Sequence, residues 1–154
     1  MPNYCQNQAT FTHPDVEKLN ELYLQFKRVE DNADDEDGQP FQYLRPTPPE
    51  LLDGSGWYNW RVANWGTKWD ASSRRVLKFD PEAKTLTVTF HTAWAAPTDL
   101  YKYLHAETEW RVDAIYFEAG MGFYGSFNED GEDHHSHISE PLQRIITAGF
   151  KNAA

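Results

Sequence analysis

At 154 residues, with 40% apolar and 15% aromatic content, the chain is long enough to bury a core within one domain and too apolar for a disordered segment. Its 24 Asp and Glu against 14 Lys and Arg, a net charge of −10, argue against direct nucleic-acid binding, because affinity for phosphates comes from cations. No apolar run approaches the roughly 20 residues that span a bilayer, the start MPNYCQN lacks the layout of a signal peptide, and Cys5 is the sole cysteine, so the expectation is a cytoplasmic protein with no membrane partner and no internal disulfide.

In chain order, a first strand is expected over Tyr4–Phe11. Thr12 with Asp15 three residues on reads as a capping box, and Val16, Leu19, Leu22, Tyr23 and Phe26 follow at helical spacing to about residue 31. From 31 to 56 the chain is acidic and then proline-rich, which reads as an ordered excursion over the surface of a single domain, 1–154. Trp57, Trp60 and Asn64 fit a short helical turn. In NWGTKWDA, Trp65, Thr67 and Trp69 share one parity and Gly66, Lys68 and Asp70 the other; a strand here would put two indoles on one face and a Lys with an Asp on the opposite one. Strands are predicted at RRVLKF and TLTVTFHTAW, and a helix at PTDLYKYLHAET with Leu100, Tyr103 and Leu104 on one stripe. A final strand pair, WRVDAIYFEAG and MGFYGSFNEDG, turns at Gly120–Gly122. A short terminal helix, capped by Ser139, aligns Leu142, Ile145, Ile146 and Phe150. The order β-α-β-β-α-β-β-α is the ferredoxin-like split βαβ plan: an α+β antiparallel sheet with helices on one face, plus an extra C-terminal strand and short helix.

The charge is localised. Ten of the acids lie in two base-free stretches, EDNADDED (30–37) and NEDGED (128–133), and outside them acids and bases balance at fourteen each. Their plain reading is two solvated loops. Their functional reading is a paired acidic surface for a basic partner, with Asp34, Asp35, Glu36 and Asp37 as one contact and Glu129, Asp130, Glu132 and Asp133 as the second. The adjoining DHHSH run offers His134, His135 and His137, which with Glu132 or Asp133 could present nitrogen and oxygen ligands to zinc or nickel. Consecutive histidines in a loop, with no paired ligand motif elsewhere, read more simply as solvated, and no cofactor is expected.

Four stretches, MPNYCQN, YNWRVANWGTKWDA, FHTAWAAP and YFEAGMGFYGSF, occur in this order, and together they resemble the YubB ferredoxin-like family of phage and plasmid proteins over roughly residues 1–11 and 57–127. Tyr4 stands where that family commonly has Trp. The resemblance implies a ferredoxin-like fold encoded on a mobile element and supplies no catalytic residue. The name denotes a fold, since one cysteine cannot build an iron–sulfur centre.

No nucleophile elbow, phosphate loop or metalloprotease helix is present, so a non-enzymatic protein is expected. Of the polar residues near the aromatics, Arg61, Lys68, Asp70, His91 and Glu118, the simplest reading pairs Asp70 with Lys68 or Arg61 in an ion pair bordering the sheet. MGFYGSF has the outline of an RNA-recognition signature, but Met121 replaces the leading base and the segment falls after the second helix instead of before it. Two functions remain. One is a phage- or plasmid-encoded counter-defence protein whose acidic loops occupy a basic nucleic-acid-binding groove on a host protein; self-association into a homodimer stays open. The other is a domain that binds or sequesters a small nucleotide-like ligand, or acts on it as an enzyme, with Trp60, Trp65, Lys68, Trp69 and Trp94 lining the site. The tryptophans themselves read first as aromatic core and second as a ligand surface.

Overall fold

A computed structural model describes residues 3–31 and 38–136. The chain runs β1 (Tyr4–Thr12), α1 (Val16–Asp31), α2 (Pro40–Leu44), α3 (Pro49–Leu52), α4 (Gly56–Asn64), β2 (Ser72–Asp80), β3 (Thr85–Ala93), α5 (Thr98–Glu107), β4 (Arg111–Glu118), β5 (Phe123–Asn128) and β6 (Gly131–Ser136). All six strands join one open sheet in the order β2-β3-β1-β4-β5-β6, every neighbour antiparallel. The architecture is α+β. Among the described residues no helix is long and apolar enough to cross a membrane.

The alternation of β1 sets the layers. Cys5, Asn7, Ala9 and Phe11 are buried, while the residues between them keep surface. Phe11 lies level with Leu86 of β3 and Val112 of β4, and Ala9 with Val88 and Ala114, so the apolar face is continuous across three strands. Onto it pack Leu19, Leu22 and Phe26 of α1 and Leu100, Tyr101 and Leu104 of α5. Asn7 is a buried polar residue in this face. Its Nδ2 donates to the Cys5 carbonyl and to Thr92 Oγ1, both at 3.0 Å, which satisfies the amide N–H groups inside the core.

Several expectations need correction. The cap of α1 is Asp15 and not Thr12, which ends β1: the Glu17 N–H donates to Asp15 Oδ1 at 2.9 Å, and the Asp15 N–H donates to His13 Nδ1 at 2.9 Å. The excursion is largely helical after residue 38, because Pro40 and Pro49 stand in the first turns of α2 and α3, where a missing N–H costs nothing. Residues 65–71 form no strand: Gly66 turns the chain at φ +91°, and a Cβ there would crowd Asp99 and the Ala96 carbonyl. A sixth strand, β6, holds part of the second acidic run and the first two histidines of the supposed loop. A tight turn at Asn128–Gly131, with Gly131 at φ +115°, returns the chain against β5. The terminal helix expected from Ser139 lies outside the described residues.

Burial, with the Glu118 carboxylate acting in the same direction, pushes the Cys5 thiol up to about 12. The folded protein is therefore expected to resist alkylation at about pH 8, and to react as an ordinary thiol once unfolded in denaturant. Equal alkylation rates in the two states would contradict the closed packing around β1.

Candidate functional site

Residues 40–71 form a tight structure built around Trp65 and Asp70. Trp65 is fully buried, its ring 5.6 Å from Phe41 and 6.1 Å from Trp60. Its indole N–H donates to the Arg45 carbonyl at 3.0 Å, and its own carbonyl accepts from the Leu100 N–H at 3.2 Å. One side chain thus connects α2, α4 and α5. Thr67 Oγ1 donates to the Ala93 carbonyl at 2.9 Å and fixes the same loop to the end of β3.

Asp70 makes no ion pair with Lys68 or Arg61, contrary to the sequence expectation. Its carboxylate accepts from the backbone N–H groups of Phe41 (2.9 Å), Gln42 (3.0 Å) and Ala71 (2.7 Å), so it caps α2 from across the chain. The residue keeps some surface, but the carboxyl is enclosed. Burial pushes its pKa up to about 6, against the opposing pull of those three donors and of Arg74.

Around this core, cations and rings alternate. The Arg45 guanidinium lies 4.0 Å from the Tyr103 ring and 5.7 Å from Trp60. Arg61 lies 4.8 Å from Trp65 and 5.1 Å from Trp57, whose ring contacts Tyr58 at 5.9 Å. The Lys68 ammonium is 4.2 Å from Trp69 and 6.0 Å from Tyr58. The result is a continuous ladder: Tyr103, Arg45, Trp60, Trp65, Arg61, Trp57, Tyr58, Lys68, Trp69. No described carboxylate comes within ion-pairing distance of its three cations. Each arginine makes a single hydrogen bond from its guanidinium to described protein atoms, Arg45 Nη1 to the Asn64 carbonyl (3.3 Å) and Arg61 Nε to Thr47 Oγ1 (3.1 Å). Burial lowers the Arg61 pKa, with Asp70 pulling the other way. The ladder is buried at its middle, at Trp65, and its outer end opens at Tyr58 and at Trp69, which is 40% exposed.

Trp60, Trp65, Lys68 and Trp69 are thus brought together as the sequence suggests, with Trp65 acting as core and not as surface. Trp94 follows Ala93 directly, is half exposed, and holds a left-handed backbone (φ +70°) with its N–H donating to the Asn3 carbonyl at 2.8 Å. No ring contact joins it to the ladder. Arg45 and Tyr103 were missed by sequence reading. They come from α2's end and from α5, and nothing local marks them.

The acidic candidates lie elsewhere. Glu129 and Asp130 sit in the β5–β6 turn and, with Thr10, Thr12, Arg111, Val112, Asp113 and Asn128, line a depression of about 380 Å³. Glu132 accepts a hydrogen bond from the Tyr116 hydroxyl at 2.7 Å. Asp133 pairs in register with Ser126, His134 with Gly125 and His135 with Tyr124. Asp34, Asp35, Glu36, Asp37 and His137 lie outside the described residues. Gly38, which follows the first acidic run, lies against Arg74 of β2, at the opposite edge of the sheet from β6. Glu118, fully buried, accepts from the N–H groups of Gly120 (2.7 Å) and Met121 (2.6 Å) and holds the β4–β5 turn. Among the described residues, no three His, Cys, Asp or Glu side chains are grouped to hold a metal ion.

No family model, curated protein or solved structure matches the chain.

The raised pKa of Asp70 gives a signed expectation. The folded protein favours the protonated carboxyl, so this group's stabilising contribution is complete below its ordinary value of 3.8 and is lost as pH rises towards about 6. Asp70→Asn replaces one acceptor with a donor facing the Gln42 N–H and is less stable than wild type. The wild-type advantage over this variant should shrink between about pH 4 and about pH 7. A pH-independent gap in denaturation midpoints would contradict the enclosed carboxyl.

Proposed function

We propose that this protein is a binding protein that takes a nucleotide-like ligand, planar base and anionic phosphate together, on the outer end of the cation–aromatic ladder. The observation that carries this reading is that Arg45, Arg61 and Lys68, in a chain of net charge −10, have rings and not carboxylates as their neighbours. A cation held against a ring keeps its charge and its remaining N–H donors, so phosphate oxygens meet no competing acid there. The exposed faces of Tyr58 and Trp69 offer stacking surfaces beside Lys68. Binding and sequestration need nothing more.

The proposal extends to fold and origin. The order β2-β3-β1-β4, with helical crossovers from β1 to β2 and from β3 to β4, supports the ferredoxin-like split βαβ plan, to which β5 and β6 add an edge hairpin. With the YubB-like stretches, this favours a phage or plasmid setting.

A second reading keeps the acidic hairpin as a contact for a basic host protein, as a counter-defence inhibitor would use it. What favours it is the depression at the β5–β6 turn, where Glu129 and Asp130 adjoin Asp113.

The two readings part experimentally. Titrating adenosine triphosphate, and separately a short single-stranded oligonucleotide, should quench tryptophan fluorescence. Trp69→Ala should weaken binding about 5- to 150-fold, the span of one lost stacking contact of about 1–3 kcal/mol, and Lys68→Ala should also weaken it, in neither case moving the melting temperature. Flat titrations with both probes would refute the ladder reading. For the second reading, Glu129→Lys with Asp130→Lys should abolish capture of a nuclease-insensitive bacterial protein by the tagged chain; undiminished capture by this variant would refute the acidic contact.

A further inference from the structure

Trp94 is held in a conformation that its own packing does not explain. Among the described residues, three that are not glycine have a left-handed backbone: Ser73, Lys84 and Trp94. Ser73 stands at an irregularity of β2 and Lys84 in the turn between β2 and β3, where such geometry serves the chain path. Trp94, at φ +70°, is a bulky aromatic for which this region is sterically costly. Its indole does not offset that cost, being 49% exposed with no ring or hydrogen-bond partner among the described residues. The conformation is imposed by the peptide groups on either side. The Trp94 N–H donates to the Asn3 carbonyl at 2.8 Å, and the Ala93 carbonyl accepts from Thr67 Oγ1 and from the Ala95 N–H, both at 2.9 Å. The Ala95 carbonyl accepts from Thr92 Oγ1 at 2.6 Å, and that hydroxyl accepts from Asn7 Nδ2 at 3.0 Å. Asn7, Thr67 and Thr92 are all buried. Burying polar side chains is unfavourable unless they find partners, and these three converge on the turn that presents one exposed indole.

The same contacts fix where that indole is offered. Lys68 and Trp94 each directly follow a member of the bonded pair Thr67 and Ala93, so their Cα atoms lie within about 15 Å of each other. Gly66 closes on the same turn, since a Cβ there would come within 3.3 Å of the Ala96 carbonyl. The turn carrying Trp94 is thus packed against the loop carrying Lys68 and Trp69. We propose that Trp94 is a second stacking platform for the ladder's ligand, and that this ligand is a dinucleotide, two planar bases bridged by phosphate. One base stacks at Trp69 or Tyr58, the bridging phosphate meets the Lys68 ammonium, and the second base stacks on Trp94. A flexible phosphate bridge lets two bases separate over such a span. This inference rests on the ladder reading and adds to it the class of ligand. It also gives a role to the one exposed tryptophan that no ring contact joins to the ladder.

The test is calorimetric titration of the full chain with two pairs of probes. Diadenosine tetraphosphate is compared with adenosine triphosphate, and a two-nucleotide deoxyadenylate with deoxyadenosine monophosphate. At least one two-base probe should bind about 5- to 150-fold more tightly than its one-base counterpart, the reach of one added stacking contact. An advantage for the diadenosine compound assigns a free dinucleotide, and one for the deoxyadenylate a single-stranded end. Trp94→Ala should abolish the advantage and leave the one-base affinities unchanged, which also shows that the variant is folded. Trp94→Phe should keep most of it. If adenosine triphosphate binds but neither two-base probe gains over its counterpart, the dinucleotide assignment is overturned and the ladder reading stands. An advantage that survives Trp94→Ala overturns the role of Trp94, and a failure of all four probes to bind removes both readings together.

Discussion

The arrangement of residues 40–71 depends on the burial of Trp65. Its ring fills the space between Phe41 and Trp60, its N–H fixes the end of α2 through the Arg45 carbonyl, and its carbonyl receives α5 through the Leu100 N–H. Removing a buried indole typically costs about 3–5 kcal/mol, a large share of a domain's stability of about 5–15 kcal/mol. Here the loss would also take from Arg61 one of its two rings and leave the Arg45 carbonyl without its indole donor. Asp70 acts in parallel from the other end of the loop. With α2 only five residues long, two of its backbone N–H groups, those of Phe41 and Gln42, held by one carboxylate replace the cap that Gln39 does not supply.

From these two anchors the cation–aromatic ladder follows by steps. Fixing α2 and α4 against the sheet sets Arg45 over Tyr103 and Arg61 over Trp65; the turn at Gly66 then carries Lys68 and Trp69 outward. The cations are arranged by rings in a protein otherwise rich in carboxylates, and Glu129 and Asp130 lie apart from them at the β5–β6 turn. Charge separation of this kind lets one small acidic chain present a locally cationic, aromatic surface without forming internal ion pairs. Exposed pairs would contribute little to stability and would compete with an anionic ligand.

Much of this was legible in the sequence, and the gaps have physical causes. The alternation of Leu86, Val88 and Phe90 and the stripe Leu19, Leu22, Phe26 each report a single buried face, so β3 and α1 could be read locally. β6 could not. GEDHHS is a polar edge strand whose pairing with Phe123–Asn128 comes from the turn at Gly131 and not from apolar alternation. The strand imagined at 65–70 failed because Trp65, Thr67 and Trp69 share parity by coincidence; Gly66 at positive φ breaks the extended chain between them. Asp70 looked like half of an ion pair because Lys68 and Arg61 lie close to it in sequence, whereas two of its three partners are backbone groups nearly thirty residues away. The tryptophans themselves divide as their surroundings dictate: Trp65 is core, Trp60 borders it, and Trp69 and Trp94 are surface.

The central claim is that the outer ladder receives a planar anion. Its most direct test is a two-dimensional nuclear magnetic resonance spectrum of the six indole N–H groups, recorded as adenosine triphosphate is added. The account predicts saturable shifts for Trp69 and Trp57, a smaller shift for Trp60, and no change at Trp110, which lies against His13 and Phe11 away from the ladder. Invariant Trp57 and Trp69 signals, or shifts confined to Trp110, would contradict it.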